Sequence, residues 1–370
     1  MVAPVSQQQW GGYPRYGQSA GGPQPYGRPG PYASQGFQQP PYGPGRGFGG
    51  PQIAVPHYGA PPGMPGPRRR NPFRALLLAV MAVTLIAIAG FVVAGALADT
   101  SEVAYQNDDY SVPPPDKNPP PIPIPDTYEQ AESIVTNSPF YRQTVPVPVR
   151  CDTQPINVET ASDAQLKSHF EGMMECLVRV WQPPVEQAGL IIVRPTVTIY
   201  GDKMTTKCGT SGVNAFYCAA DQQVYYSNRL PDAVAIVKRD KWAADVVIAH
   251  EFGHALQGRT GILVSAKALG QNTGNEAEDL RYTRRLETQA DCFSGMFLRS
   301  TAQSLGIKQT DVEGIENTYR AIGDDTLSGD PSVVGNHGLS RSRLFWGQTG
   351  IGNSAVGKCN TFIAPASQVR

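Results

Sequence analysis

The sequence predicts an α+β domain over residues 127–370, set behind a disordered tail, one helix long enough to cross a bilayer, and a proline-dense spacer. Three observations carry that expectation. Residues 1–67 hold 16 Gly and 15 Pro but no Asp or Glu, a composition that buries too little apolar surface to offset chain entropy. Residues 75–98 run for 24 positions without a charge, long enough to span a membrane as a helix. Beyond residue 127, two helix-period segments, a block of strand-period segments and further helical segments follow over enough chain for one hydrophobic core.

The tail, residues 1–74, repeats Pro, Tyr, Gly and Gln, a composition suited to weak multivalent protein contacts or to no contact at all. Arg15, Arg28 and Arg46 are too few and too spread for nucleic acid. The formal net charge of the chain is zero, 31 basic against 31 acidic residues, which gives no sign of an acidic or basic substrate. Arg68, Arg69, Arg70 and Arg74 precede the uncharged run, and Asp99, Glu102, Asp108 and Asp109 follow it. That asymmetry keeps the N-terminus in the cytoplasm and sends the C-terminal domain out, as a single-pass protein of the cell membrane. Ala96-Leu97-Ala98 resembles a signal-peptidase site. The apolar run is longer than a usual signal core and begins far from the N-terminus, so an uncleaved anchor is expected.

All six cysteines, Cys151, Cys176, Cys208, Cys218, Cys292 and Cys359, lie after the anchor, where disulfides persist. Six cysteines allow 15 connectivities. Cys208 and Cys218 bracket a short loop and are the easiest to pair, and Cys151 with Cys176 and Cys292 with Cys359 follow. Residues 99–126, with Pro113-Pro114-Pro115 and a second proline run after Asn118, favour extended polyproline geometry and are expected to act as a semi-rigid stalk. In the domain itself, the patterning gives helices at 128–136 and 162–180. Strands are expected at 190–193, 196–200, 214–218 and 223–226, followed by two helices that carry the chemistry and another at 310–322.

The chemistry rests on His250-Glu251-Phe252-Gly253-His254. On a helix, residues four apart share a face, so His250 and His254 can both direct a nitrogen at one metal ion. Glu251 then stands beside the open coordination position, where it can take a proton from a zinc-bound water. This pattern points to metal-assisted hydrolysis, most simply of a peptide bond. A metzincin would continue with Gly and His at positions held here by Gln257 and Thr260, so that class is excluded. Thirty-three residues beyond His254, Glu287 and Asp291 share a face of a second helical segment. Glu287 can supply the third ligand while Asp291 accepts a hydrogen bond from a ligand histidine. An exposed acidic face paired with Arg284 and Arg285 is the alternative use of that spacing.

Three segments together resemble the bacterial neutral zinc metallopeptidase family of YpfJ-like proteins. They are the motif with its flanking Ala249 and Ala255-Leu256-Gln257, the run from Glu287 through Asp291-Cys292-Phe293 to Gly295, and Phe216-Tyr217-Cys218 with Asp221, Val224 and Tyr225. The resemblance covers roughly residues 127–365. It implies a zincin-like metallopeptidase domain of gluzincin type, a small sheet plus two metal-binding helices, holding one Zn2+ through His250, His254 and Glu287. Glu251 is then the base, and Asp291 supports a ligand. The resemblance extends to Asn336-His337-Gly338-Leu339-Ser340 followed by Arg343, and departs from the family in having Gly347 after Trp346. His337 is the candidate donor to the developing oxyanion. Of the remaining histidines, His57 lies in low-complexity sequence and His169 reads as a surface or boundary residue.

An extended peptide substrate is expected along a sheet edge at Asn214, Ala215, Phe216 and Tyr217. The expected activity is a membrane-anchored, zinc-dependent peptidase acting on extracytoplasmic protein. Two rival readings stay open, an inactive member of the fold that binds partners and a scaffold that works through its tail.

Overall fold

The computed structural model describes residues 103–370. The tail and the uncharged run at 75–98 lie outside the described residues, and among those described no helix is long and apolar enough to cross a membrane.

The chain enters with α1 (Tyr128–Asn137), started by the Thr127 side chain, which accepts from the Gln130 N–H. The long helix α2 (Asp163–Gln187) starts in a reciprocal capping box between Ser162 and Gln165. It runs seven residues past the end expected at 180, straight through Pro183 and Pro184. A proline four residues on removes the donor that the Arg179 carbonyl would use. Here Asn107 Nδ2 donates to that carbonyl at 2.7 Å, so a side chain from outside the helix replaces the missing bond.

Strands β1 (Val197–Tyr200), β2 (Met204–Thr206), β3 (Gly209–Ser211), β4 (Ala215–Cys218) and β5 (Gln223–Ser227) come next. The main sheet has order β1-β5-β4, with β1 parallel to β5 and β5 antiparallel to β4, while β2 and β3 form a separate hairpin. Residues 190–193 are not a strand. The Leu190 N–H bonds the Val185 carbonyl and the Ile191 carbonyl accepts from Arg259, so apolar content there serves packing rather than a ladder.

Two short helices, α3 (Leu230–Ala233) and α4 (Ala235–Arg239), lead into α5 (Ala243–Arg259), all seventeen residues of which are buried. A helix buried on every side has no amphipathic stripe, and α5 accordingly runs through the centre of the core. Gly261, at φ 76°, reverses the chain into α6 (Ile262–Asn272), a conformation that glycine adopts without strain. Then come α7 (Glu276–Leu305), α8 (Val312–Ala321), α9 (Asp324–Ser328) and α10 (Ser340–Gly352). The hairpin, α6 and α10 are not expected from the sequence: the hairpin strands are three residues each, α6 is buried along most of its length, and α10 contains three glycines. Phe140, Trp181 and Phe293 pack edge-on or tilted at 5.2–5.9 Å between ring centroids and join α2 to α7.

Three disulfides, Cys151–Cys176, Cys208–Cys218 and Cys292–Cys359, match the pairing expected from the sequence, and no cysteine is free among the described residues. The stalk expected at 99–126 is corrected by the structure from residue 106 onward. The Gln106 N–H bonds the Pro148 carbonyl, Asp108 pairs with Arg150 at 2.9 Å, and the Pro120 carbonyl accepts from both Arg259 and Gln222. Polyproline backbone makes no internal hydrogen bonds. Its carbonyls are therefore open to side chains of the domain, and the segment lies on the surface as a strap.

Candidate metal centre

Helices α5 and α7 bring the site together by close approach. A Cβ at Gly253 would sit 2.9 Å from the Ala290 Cα, so only glycine permits this crossing. Gly253 lies between the two motif histidines, and Ala290 lies between Glu287 and Asp291. The contact therefore sets the ligand atoms opposite one another. His250 Nε2 is 3.3 Å from Glu287 Oε2 and His254 Nε2 is 3.5 Å from Glu287 Oε1, and one ligand atom from each residue falls within 4.8 Å of the others.

Each imidazole is fixed from behind by a different partner. His250 Nδ1 lies 2.9 Å from Asp291 Oδ1. His254 Nδ1 lies 2.9 Å from Gln257 Oε1, and Gln257 Nε2 in turn donates to the Leu286 carbonyl at 2.8 Å. With Nδ1–H donated in both rings, both Nε2 atoms are directed at the same point. Asp291 falls where the sequence put it. Gln257 was legible only as a departure from the metzincin pattern, and its use as the partner of His254 needs the helix geometry.

Burial alone would lower the pKa of His250, but the charge of Asp291 and hydrogen bonds to Asp291 and Glu287 outweigh it and lift the ring to about 9. Burial would raise Glu287, yet His254 and His250 hold it well below the usual carboxylate range. The carboxylates of Glu251, Glu287 and Asp291 against the Arg343 guanidinium leave a charge of −2 when both imidazoles are neutral. A divalent cation balances that charge, and two imidazoles with one carboxylate are the donor set of a catalytic zinc site. The residues present thus fit one zinc ion, with His250, His254 and Glu287 as its holders.

Glu251, 7% exposed, faces the same cleft and accepts the Tyr217 N–H at 2.9 Å. That bond comes from the sheet edge. The Asn214 carbonyl accepts from the Ser227 N–H, so residues 214, 216 and 218 turn their backbone groups toward β5, and Ala215 and Tyr217 turn theirs outward. Of the four expected edge residues, then, Ala215 and Tyr217 present main chain to the cleft. Asn214 and Phe216 also line it, and the Phe216 ring stacks on Tyr225 at 5.0 Å.

His337 lies on the opposite wall of the cleft lining, in the segment between α9 and α10. Its Nδ1 is 3.1 Å from Asp324 Oδ1, while Asp324 Oδ2 accepts the N–H groups of His337 and Gly338 at 3.0 and 2.8 Å. The cleft has a volume of about 760 Å³ and is walled by Val247, Leu230, Val234 and Val237 on one side and by Ile322, Val333 and Val334 beside His337. His169 is elsewhere. It pairs with buried Asp245 at 2.6 Å on the α2–α5 contact, so it is a structural partner rather than a ligand.

These features define a zinc metallopeptidase-type centre, and the comparison with known proteins agrees. The family described as "Putative neutral zinc metallopeptidase" matches residues 135–362, and the chain belongs to it. The YpfJ protein of Escherichia coli K12 is 35% identical over 195 residues, 49% of this chain and 66% of that protein. The Rv2575 protein of Mycobacterium tuberculosis is 26% identical over 205 residues, 50% of this chain and 67% of that one. The chain thus spans about two thirds of the length of these relatives. No solved structure matches it. A helix-rich α+β domain with a small sheet fits a zincin-like fold.

Proposed function

We propose that this chain is a membrane-anchored zinc endopeptidase that hydrolyses peptide bonds of proteins outside the cytoplasm. The observation that carries the reading is the convergence of His250, His254 and Glu287 on one point, with Glu251 beside them in a cleft bounded by an open strand edge. His250, His254 and Glu287 would hold a zinc ion, which would supply Lewis acidity and make a water beside Glu251 easier to deprotonate. Glu251 takes the proton from the attacking water and passes it to the leaving amine. Ala215 and the Tyr217 carbonyl, the Tyr217 N–H being taken by Glu251, align an extended peptide through main-chain hydrogen bonds, which demand little of its sequence. The aliphatic walls suit apolar side chains on either side of the cut bond. His337 donates Nε2–H to the oxyanion. Because Nδ1–H stays on Asp324, this needs the doubly protonated ring.

The anchor and its orientation are supported by the uncharged run at 75–98 with its basic flank and by three disulfides in the domain. The partners are thus a protein or peptide substrate and the membrane, with weak tail-mediated contacts on the cytoplasmic side. An inactive binding protein would have no use for Glu251, which argues against that rival.

The test is zinc analysis of the purified chain, joined to a proteomic comparison of cells carrying wild type and Glu251→Gln. About one zinc per chain, with extracytoplasmic fragments that vanish in the variant, is the expected result. Identical fragment sets would refute the peptidase. For topology, protease added to intact cells should reach residues after 99 and spare the tail, and thiol reagents should find few free cysteines before reduction.

A further inference from the structure

Arg343 is buried with its guanidinium inside the metal centre's support. Its Nε donates to Asp291 Oδ2 at 2.9 Å and its Nη2 to Asp291 Oδ1 at 2.8 Å, and Nη1 donates to the Ile322 carbonyl at 3.1 Å. Nη2 is also 3.3 Å from His250 Nδ1, and Nη1 is 4.0 Å from Glu287 Oε2. Such a position costs zinc affinity by charge repulsion, since a cation is held against two ligands of another cation. A residue kept there only to fill space would be apolar.

We infer that Arg343 is a positioning residue for the zinc centre, acting through Asp291. A carboxylate with one hydrogen bond to His250 can rotate about its own side-chain bonds and release the ring. A bidentate fork removes that freedom, because both oxygens are engaged in one plane by a rigid donor pair. Asp291 Oδ1 then stays on His250 Nδ1, and Nε2 of that ring stays aimed at the metal. The backbone of α10 is brought close enough for this by glycine contacts: a Cβ at Gly350 would lie 2.0 Å from the Cys292 carbonyl oxygen on α7. The bond to Ile322 extends the same function. Ile322 immediately precedes Gly323 and Asp324, so one guanidinium ties the start of the His337-bearing segment to the metal helices. His254 has no such arginine and relies on the neutral Gln257 amide, so the two ligand rings should differ in their response to loss of Arg343.

This inference rests on the zinc reading above, and its test reads metal binding apart from proteolysis. Zinc affinity of the full-length chain in detergent is measured by chelator competition for wild type, Arg343→Lys, Arg343→Gln, Asp291→Asn and the Arg343→Lys/Asp291→Asn double variant. Folding is checked by melting of each metal-free form. Arg343→Lys keeps the charge and loses the fork, so its zinc Kd should rise by about tenfold or more. In the Asp291→Asn background the same change should have less than about a threefold effect, since the group it acts through is already gone. A cobalt-loaded Arg343→Lys chain should show an altered ligand-field spectrum. Wild-type affinity and spectrum in folded Arg343→Lys, or an undiminished effect in the Asp291→Asn background, would overturn the inference. Should the lysine variant fail to fold, the ligand-field spectrum of cobalt-loaded Arg343→Gln decides instead, because loss of the charge also changes affinity, and a wild-type spectrum there would overturn the inference. A wild-type chain that takes up no zinc would instead sink the metal reading, and this inference with it.

Discussion

Helix α5 and the segment 323–338 face one another across the cleft, and they are built in opposite ways. In α5 every residue is buried, and His250, Glu251 and His254 are fixed by a helix that packing allows no freedom. The segment across from it exposes Leu327 at 52% and Val334 at 58%, and it is held by polar ties rather than by packing: Asp324 takes two backbone N–H groups and the His337 ring, and Arg284 donates to the Gly335 carbonyl. A metal site needs donors placed to fractions of an ångström, so it belongs on packed helices. Substrate contacts must admit and release a chain, so they belong on a segment with few buried contacts. Damage to the first wall should therefore remove the metal, and damage to the second should slow turnover while the metal stays.

The largest effect should come from the ligands. His250→Ala, His254→Ala or Glu287→Ala leaves two donors, and each variant is expected to come through chelator treatment without zinc. Near-stoichiometric zinc in Glu287→Ala would move the third ligand elsewhere. Glu251→Gln tests chemistry on the same wall. It should retain zinc and fold, and lose roughly a hundredfold or more in peptide hydrolysis. Undiminished cleavage would end the mechanism proposed.

Across the cleft, His337→Ala should raise the barrier by about 2 to 4 kcal/mol through kcat, with KM and zinc content little changed. Full activity would reduce His337 to a wall residue. Tyr226 could not replace it, being fully buried and outside the cleft lining, which leaves Tyr217.

Packing between the metal helices sharpens the contrast further. Gly253→Ala forces its methyl against the Ala290 backbone and should cost about 1–3 kcal/mol in urea unfolding, with weakened zinc binding. A neutral result would mean the helices separate more easily than the contact suggests. The smallest effect is expected farthest from the cleft. Arg259→Ala removes donors to the Pro120 and Pro121 carbonyls, and should cost about 1 kcal/mol of strap attachment, read as faster proteolytic nicking within 106–123. Unchanged nicking would mean the remaining strap contacts suffice.

Much of the first wall was legible in the sequence because its information is local. Four-residue spacing on a helix puts His250 with His254 and Glu287 with Asp291 whatever the rest of the fold does. Of the cysteine pairs, only Cys208–Cys218 followed from a short intervening loop, while the other two, 25 and 67 residues apart, had no local signal to choose them. The second wall was only half legible. His337 was reached through the resemblance of its segment to the family, while Asp324, thirteen residues earlier, carried no signal as its partner. Alternation also failed at residues 190–193, where apolar residues pack without a neighbouring strand.

By itself the sequence determined which side chains can bind and activate, since residue type and helical period are properties of the chain. It also determined that a proline-rich segment must be extended. Only the tertiary structure decided that this segment is held down from residue 106, because its docking depends on Arg194, Arg259 and Gln222 far along the chain. It likewise decided that Gln257, one turn from His254, is anchored to the Leu286 carbonyl of the second metal helix, and that Arg343 reaches Asp291 across 52 residues. Such contacts arise when helices cross at glycine-sized gaps, and no periodicity within either helix records where its partner will lie.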